Sequence, residues 1–92
     1  MTDPDLDRLM RSVGLRVFVE YFELFADSTL SNADVADRLP HEYKLTARQT
    51  RVSCARRIID QGLAPEALRI ISESQRVDSP TSERAAAILR GL

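Results

Sequence analysis

The sequence has few of the residues on which metal, redox or nucleophilic chemistry usually depends. Its 92 residues include one cysteine, Cys54, one histidine, His41, and no tryptophan. A single cysteine forms no disulfide within the chain, which favours a reducing compartment, and we expect a cytoplasmic protein. Three or four ligands are needed for zinc, and the scattered Gly14, Gly62 and Gly91 make no phosphate-binding loop. We therefore expect no catalytic activity, no metal, no cofactor and no small-molecule ligand.

Long hydrophobic runs are also missing. No apolar stretch approaches the roughly 18 residues that a membrane-spanning helix needs. The opening residues 1–5, MTDPD, are acidic and lack the basic and apolar regions of a signal peptide. We expect no membrane association. The length predicts one domain over residues 1–92, which buries about 60–65% of its unfolded surface.

Helical periodicity runs along the whole chain, and no segment alternates apolar and polar residues long enough to be a strand. In the first segment, apolar residues recur every three or four positions, at Leu6, Leu9, Met10, Val13, Val17, Phe18, Tyr21, Phe22 and Phe25. This spacing predicts a helix that begins at Thr2 or Asp3, with Gly14 separating a main helix over 15–27. Its aromatic side is expected in the core, with part of it available as a dimer seam.

The next two helices are marked by capping residues. Ser31 is expected to cap the second helix, and Pro40 to end it, since the residue before a proline avoids the helical region. Thr46 is expected to cap the third helix, over 46–61, with Gln49 completing a capping box.

Two further helices complete the predicted architecture. Pro65 opens the fourth, Ser79 and Pro80 open the fifth, and Gly91 ends it. Five helices with short connections predict an all-α protein, a compact orthogonal bundle.

Positive charge is concentrated in the middle of the sequence. Residues 1–37 hold eight acids and three bases, a net of −5, and residues 58–92 have a net of −1. Residues 38–57 hold six bases and one acid, a net of +5. The overall formal charge of −1 hides this separation, which makes the middle of the chain the candidate functional segment.

A helical projection divides the third helix into two sides. Val52, Ala55, Ile58 and Ile59 form an apolar side, and Arg48 and Arg51 lie toward it in the first turns. Gln, Ser, Thr and Arg side chains are those that reach base edges and phosphates in a major groove. The predicted nucleic-acid-binding residues are Lys44, Arg48, Gln49, Arg51, Ser53, Arg56 and Arg57.

The two middle helices carry a family resemblance. SNADVADRL at 31–39 followed by TARQTRV at 46–52 resembles the helix pair of the helix-turn-helix superfamily, over residues 31–62. The connection between the helices, 40–45, is longer than the usual turn of about 3–4 residues and has no glycine. The resemblance implies that the second helix supports and the third reads a duplex, in a homodimer bound to double-stranded DNA.

Two alternatives remain open from the sequence. The arginine-rich side of the third helix could be a solvated surface, or it could pair with acids such as those of the first helix. The second alternative predicts a protein-interaction module, or a self-associating one, with no role in nucleic-acid binding. The proposed discriminating feature is whether Arg56 and Arg57 face open solvent without a partner.

Overall fold

A computed structural model describes residues 4–92, and the predicted all-α class is confirmed. These residues form seven helices and, in this part of the chain, no strand: α1 Pro4–Val13, α2 Leu15–Glu20, α3 Phe22–Ala26, α4 Asn32–Arg38, α5 Leu45–Asp60, α6 Ala64–Glu73 and α7 Ser79–Gly91. The expected start of the first helix at Thr2 or Asp3 lies outside the described residues.

The first predicted helix is interrupted twice, which explains why there are seven helices and not five. Gly14 has φ +90°, a conformation that costs glycine little, and it separates α1 from α2. Tyr21 has φ −112° and ψ 21°, so it leaves the helical region and separates α2 from α3. The predicted continuous helix over 15–27 is therefore wrong.

The predicted start of α4 is confirmed and that of α5 is wrong. The Ser31 hydroxyl accepts a hydrogen bond from a first-turn N–H at 3.1 Å. Helix α5 starts one residue earlier than predicted, after Lys44, whose side chain caps nothing. Thr46 therefore lies inside the first turn and forms no capping box with Gln49. Helix α6 also begins one residue earlier than predicted, whereas α7 begins at the predicted Ser79 and is capped by Asp78.

The core surrounds α5, which packs against α1, α3, α4 and α6, while α7 packs against α6 and α2. Phe18 contacts Phe22 edge to face at 5.5 Å between centroids and Phe25 at 6.4 Å, so the aromatic side of the first segment is core. The largest fully buried side chains also include Leu6, Leu39, Val52, Ile58, Leu68 and Ile71. These contacts fix α5 in the bundle and determine which of its sides faces outward.

Candidate nucleic-acid interface

Helix α5 contains most of the predicted interface and is free of acidic residues over most of its length. Between Glu42 and Asp60 the sequence has no aspartate or glutamate, although the chain has 14 of them. Its apolar positions Val52, Ala55 and Ile58 are fully buried. The opposite side therefore faces solvent.

Three of the seven predicted residues lie on that outward side, and a fourth, Lys44, is exposed at the N-cap just before the helix. Lys44, Gln49, Ser53 and Arg57 are all exposed, and Thr46 and Thr50 lie among them. The three- and four-residue steps from Thr46 to Arg57 keep these side chains on one side of the helix. We call these five residues, together with Lys44 at the N-cap, the α5 stripe. From Lys44 to Arg57 it is about 20 Å long, at 1.5 Å per residue.

The free cations of the stripe stand at its two ends. Neither the Lys44 ammonium nor the Arg57 guanidinium forms an ion pair or hydrogen bond with another group of residues 4–92. Between them the side chains are neutral hydroxyls and an amide. The Thr50 hydroxyl donates to the Thr46 carbonyl oxygen at 3.0 Å, so its own oxygen remains free to accept.

Arg48 is directed inward. It is 9% exposed, its Nη1 donates to the Ala36 carbonyl oxygen at 3.1 Å, and its Nε donates to the Tyr43 carbonyl oxygen at 3.1 Å. These bonds connect α5 to the last turn of α4 and to the connection before α5. The prediction that Arg48 binds nucleic acid conflicts with this position, because the side chain would first have to leave both carbonyls.

Arg51 is also committed to the fold. Its Nη1 donates to the Val13 carbonyl oxygen at the end of α1, and its guanidinium lies over the Tyr43 ring, 4.5 Å from the centroid. The Nε–H of Arg51 is buried and has no hydrogen-bond partner in the described part of the chain. A cation over an aromatic face is stabilised by the ring quadrupole, so this stacking supplements the carbonyl contact.

Arg56 joins α5 to the end of α3. Its Nε donates to the Phe25 carbonyl oxygen at 3.2 Å, its Nη2 to the Asp27 carbonyl oxygen at 2.8 Å, and its Nη1 to the Asn32 Oδ1 at 2.8 Å. Arg56 is half-buried, and it differs in this from its exposed neighbour Arg57. The open, unpartnered surface expected for both side chains holds for Arg57 alone.

The three arginines of α5 that form hydrogen bonds within the fold, Arg48, Arg51 and Arg56, share one kind of acceptor. The last carbonyls of a helix have no partner within it and form the negative end of its dipole. Arg48, Arg51 and Arg56 donate to carbonyls at the ends of α4, α1 and α3. Sequence reasoning missed these contacts because every residue type offers a carbonyl. One signal was available: Arg48 and Arg51 project toward the apolar side of the helix.

Beside Arg56 an open cleft of about 570 Å³ separates the second half of α5 from the α3–α4 connection. We call it the Arg57 cleft. Its polar lining consists of Ser28, Asn32, Ser53, Arg56, Arg57, Asp60 and Gln61, and its apolar lining of Phe25, Ala26 and Ile59. It lies at the end of the α5 stripe, which shares Ser53 and Arg57 with it.

In the α3–α4 connection, the pKa of the Asp27 carboxyl is shifted from its usual value. Hydrogen bonds from the Thr29 hydroxyl and backbone N–H, at 2.5 and 2.9 Å, lower the pKa of Asp27 below its usual value. The nearby guanidinium groups of Arg38 and Arg56 lower the pKa further. Asp27 is therefore ionised at neutral pH, and its carboxylate accepts both hydrogen bonds from Thr29.

The structure also bears on metal binding, on membrane insertion and on the single thiol. Within residues 4–92, no group of three or more His, Cys, Asp or Glu side chains is placed to hold a metal ion. No helix in the same range is both long enough and apolar enough to cross a membrane. Cys54 is half-buried and packs against the core.

Comparisons with protein families, with curated proteins and with solved structures found no significant match. The helix-turn-helix resemblance therefore stays a prediction, and the packing of α4 against α5 does not by itself define that motif.

Proposed function

We propose that this chain is a DNA-binding module that presents the α5 stripe to a duplex. The observation that carries the proposal is an exposed side of α5 with hydrogen-bonding side chains throughout, which ends at Arg57 and is preceded by the exposed N-cap Lys44, about 20 Å away, with no carboxylate between them. Gln49 and Ser53 are suited to base edges, and Lys44 and Arg57 to phosphates.

The number of free cations limits how tightly one copy can bind. Two ammonium or guanidinium groups neutralise at most two phosphates, so the logarithm of the binding constant should fall with the logarithm of salt concentration with a slope of about −2. Two copies on adjacent half-sites would give about −4. We therefore propose that a homodimer is the form that binds. The single cysteine supports a cytoplasmic location for it.

The proposal is tested by fluorescence anisotropy of labelled mixed-sequence duplex DNA, titrated with the chain at several salt concentrations. Lys44→Ala combined with Arg57→Ala should abolish most binding, because it removes both free cations of the stripe. The control combines Arg84→Ala with Arg90→Ala on α7, which removes the same charge from exposed positions. Duplex binding that is absent at low salt, or lost equally in both double variants, would refute the proposal.

A second candidate, a protein-interaction module, is favoured by one specific observation. Leu45 is 55% exposed at the start of α5, beside Lys44. An exposed leucine next to a cation suits an acidic, partly apolar partner, including another copy of the chain. Sedimentation at low and high salt tests this: a salt-sensitive oligomer that Leu45→Ser weakens, with no affinity for duplex DNA, favours this candidate. We propose no catalytic activity in either case.

A further inference from the structure

The Arg57 cleft is lined by more hydrogen-bond donors than the contacts within the fold use. Ser28 and Ser53 are exposed hydroxyls, and Asn32 accepts from Arg56 through Oδ1, which leaves its amide NH₂ available to donate. Arg57 adds a guanidinium with no partner among residues 4–92. A set of donors around one open space fits an anion with several acceptor oxygens.

Arg56 is a fixed part of the lining of this cleft. A guanidinium has five N–H donors, and the three bonds to Phe25, Asp27 and Asn32 leave one N–H on each terminal nitrogen. Because the fold already holds Arg56 in place, a ligand would not have to immobilise it. The remaining donors therefore belong to a preorganised group.

We propose that the Arg57 cleft binds a phosphate group, held by the Arg57 guanidinium and the free N–H groups of Arg56, with Asn32 and Ser53 as neutral donors. Guanidinium groups match the geometry of phosphate oxygens and bind them with charge-assisted hydrogen bonds. Free phosphate and the phosphates of a polynucleotide backbone present the same oxygens, so the cleft fits either source. The inference goes beyond the proposed function, because phosphate binding here does not require duplex binding by the α5 stripe.

Asp60 makes the proposal testable in the direction of tighter binding. Its exposed carboxylate lines the same cleft and repels a bound anion. Asp60→Asn should therefore tighten phosphate binding several-fold, whereas Arg57→Ala should weaken it about tenfold, as expected for loss of a charge-assisted contact. Tighter binding cannot result from misfolding, so the pair of variants separates a binding role from a structural one.

The experiment is a titration of the full chain with inorganic phosphate, at constant ionic strength maintained with chloride, followed by ¹H–¹⁵N NMR. The Nε–H signal of Arg56 is a useful reporter, because its hydrogen bond to Phe25 slows exchange with water. We expect saturable shifts at Arg56, Arg57 and Ser53 that weaken in Arg57→Ala and tighten in Asp60→Asn. Arg90→Ala, on the exposed part of α7, serves as the matched control and should leave them unchanged.

Several outcomes would overturn the inference: no saturable shift with phosphate, equal shifts spread over all exposed arginines, or no difference between Arg57→Ala and Arg90→Ala. A parallel titration with a short duplex distinguishes the source of the phosphate. Saturation by duplex DNA as well as inorganic phosphate indicates a backbone phosphate. Saturation by phosphate alone supports the cleft as a site for free phosphate while the proposed DNA-binding function fails.

Discussion

The neighbouring residues Arg56 and Arg57 provide a direct test of the division between structural and free arginines. Both lie in the second half of α5, and replacing either by alanine removes one positive charge and introduces the strongest helix former. The local effects of the two substitutions are therefore nearly equal. Any difference in stability reports the tertiary contacts of Arg56.

The magnitude follows from its three hydrogen bonds. A net value of about 1 kcal/mol for each bond is appropriate for a half-buried donor, so Arg56→Ala should lower the free energy of unfolding by about 3 kcal/mol. A domain of this size then melts roughly 12–24 °C lower. Arg57→Ala has no such contacts to lose and should change stability by less than about 0.5 kcal/mol.

Urea denaturation followed by circular dichroism measures both variants, with thermal melting as a second readout. Equal midpoints for Arg56→Ala and Arg57→Ala, with equal m-values, would refute the assignment of Arg56 to the fold. A double-mutant cycle with Asn32→Ala isolates the side-chain bond at 2.8 Å and should give a coupling of about 0.5–1 kcal/mol. Zero coupling would show that this bond does not contribute.

Three further changes test the same account of the fold. Arg48→Met should cost about 1–3 kcal/mol in urea denaturation because it removes two hydrogen bonds and leaves the Tyr43 carbonyl without a donor, and Arg48→Lys should recover only part of this. Gly14→Ala should destabilise more than Gly62→Ala: both glycines have positive φ, but a Cβ at Gly14 would lie 3.0 Å from a guanidinium nitrogen and one at Gly62 would meet nothing within 4 Å. The lowered pKa of Asp27 contributes stability that is present above the unfolded carboxyl pKa of about 4 and is lost as pH falls through the folded value, so Thr29→Val should flatten the loss of stability on acidification, as measured by urea midpoints across this pH range.

The sequence was sufficient for the class of the fold and for the outward side of α5. Periodicity indicated helices because the apolar residues recur at helical spacing, and Ser31 marked the start of α4 by its own side-chain chemistry. The break at Tyr21 carries no such mark, since tyrosine neither frees the backbone like glycine nor restricts it like proline. The residue types around position 21 therefore do not predict the break between α2 and α3.

The candidate site was predictable only in part, for a related reason. Gln49, Ser53 and Arg57 are exposed because the helix has one buried side, and a helical projection contains that information. The role of Arg56 depends on carbonyls at Phe25 and Asp27, about thirty positions away, and on the path of the chain between them. Charge counting treats Arg56 and Arg57 as equivalent, although their environments differ.

The positive segment has an explanation within the molecule that accounts for half of its basic residues. Helices as short as α2, α3 and α4 are marginal in isolation, because too few hydrogen bonds form after the costly first turn. Arginines from α5 donate to carbonyls in the last turns of α1, α3 and α4, and they oppose the negative ends of the dipoles. The Ala36 carbonyl of α4 also accepts from the Leu39 backbone N–H, so Arg48 supplements that bond. Three of the six bases in residues 38–57 therefore belong to the bundle. The other three bases, Arg38, Lys44 and Arg57, are exposed, and Lys44 and Arg57 belong to the α5 stripe. Binding experiments should therefore replace Lys44 and Arg57 first.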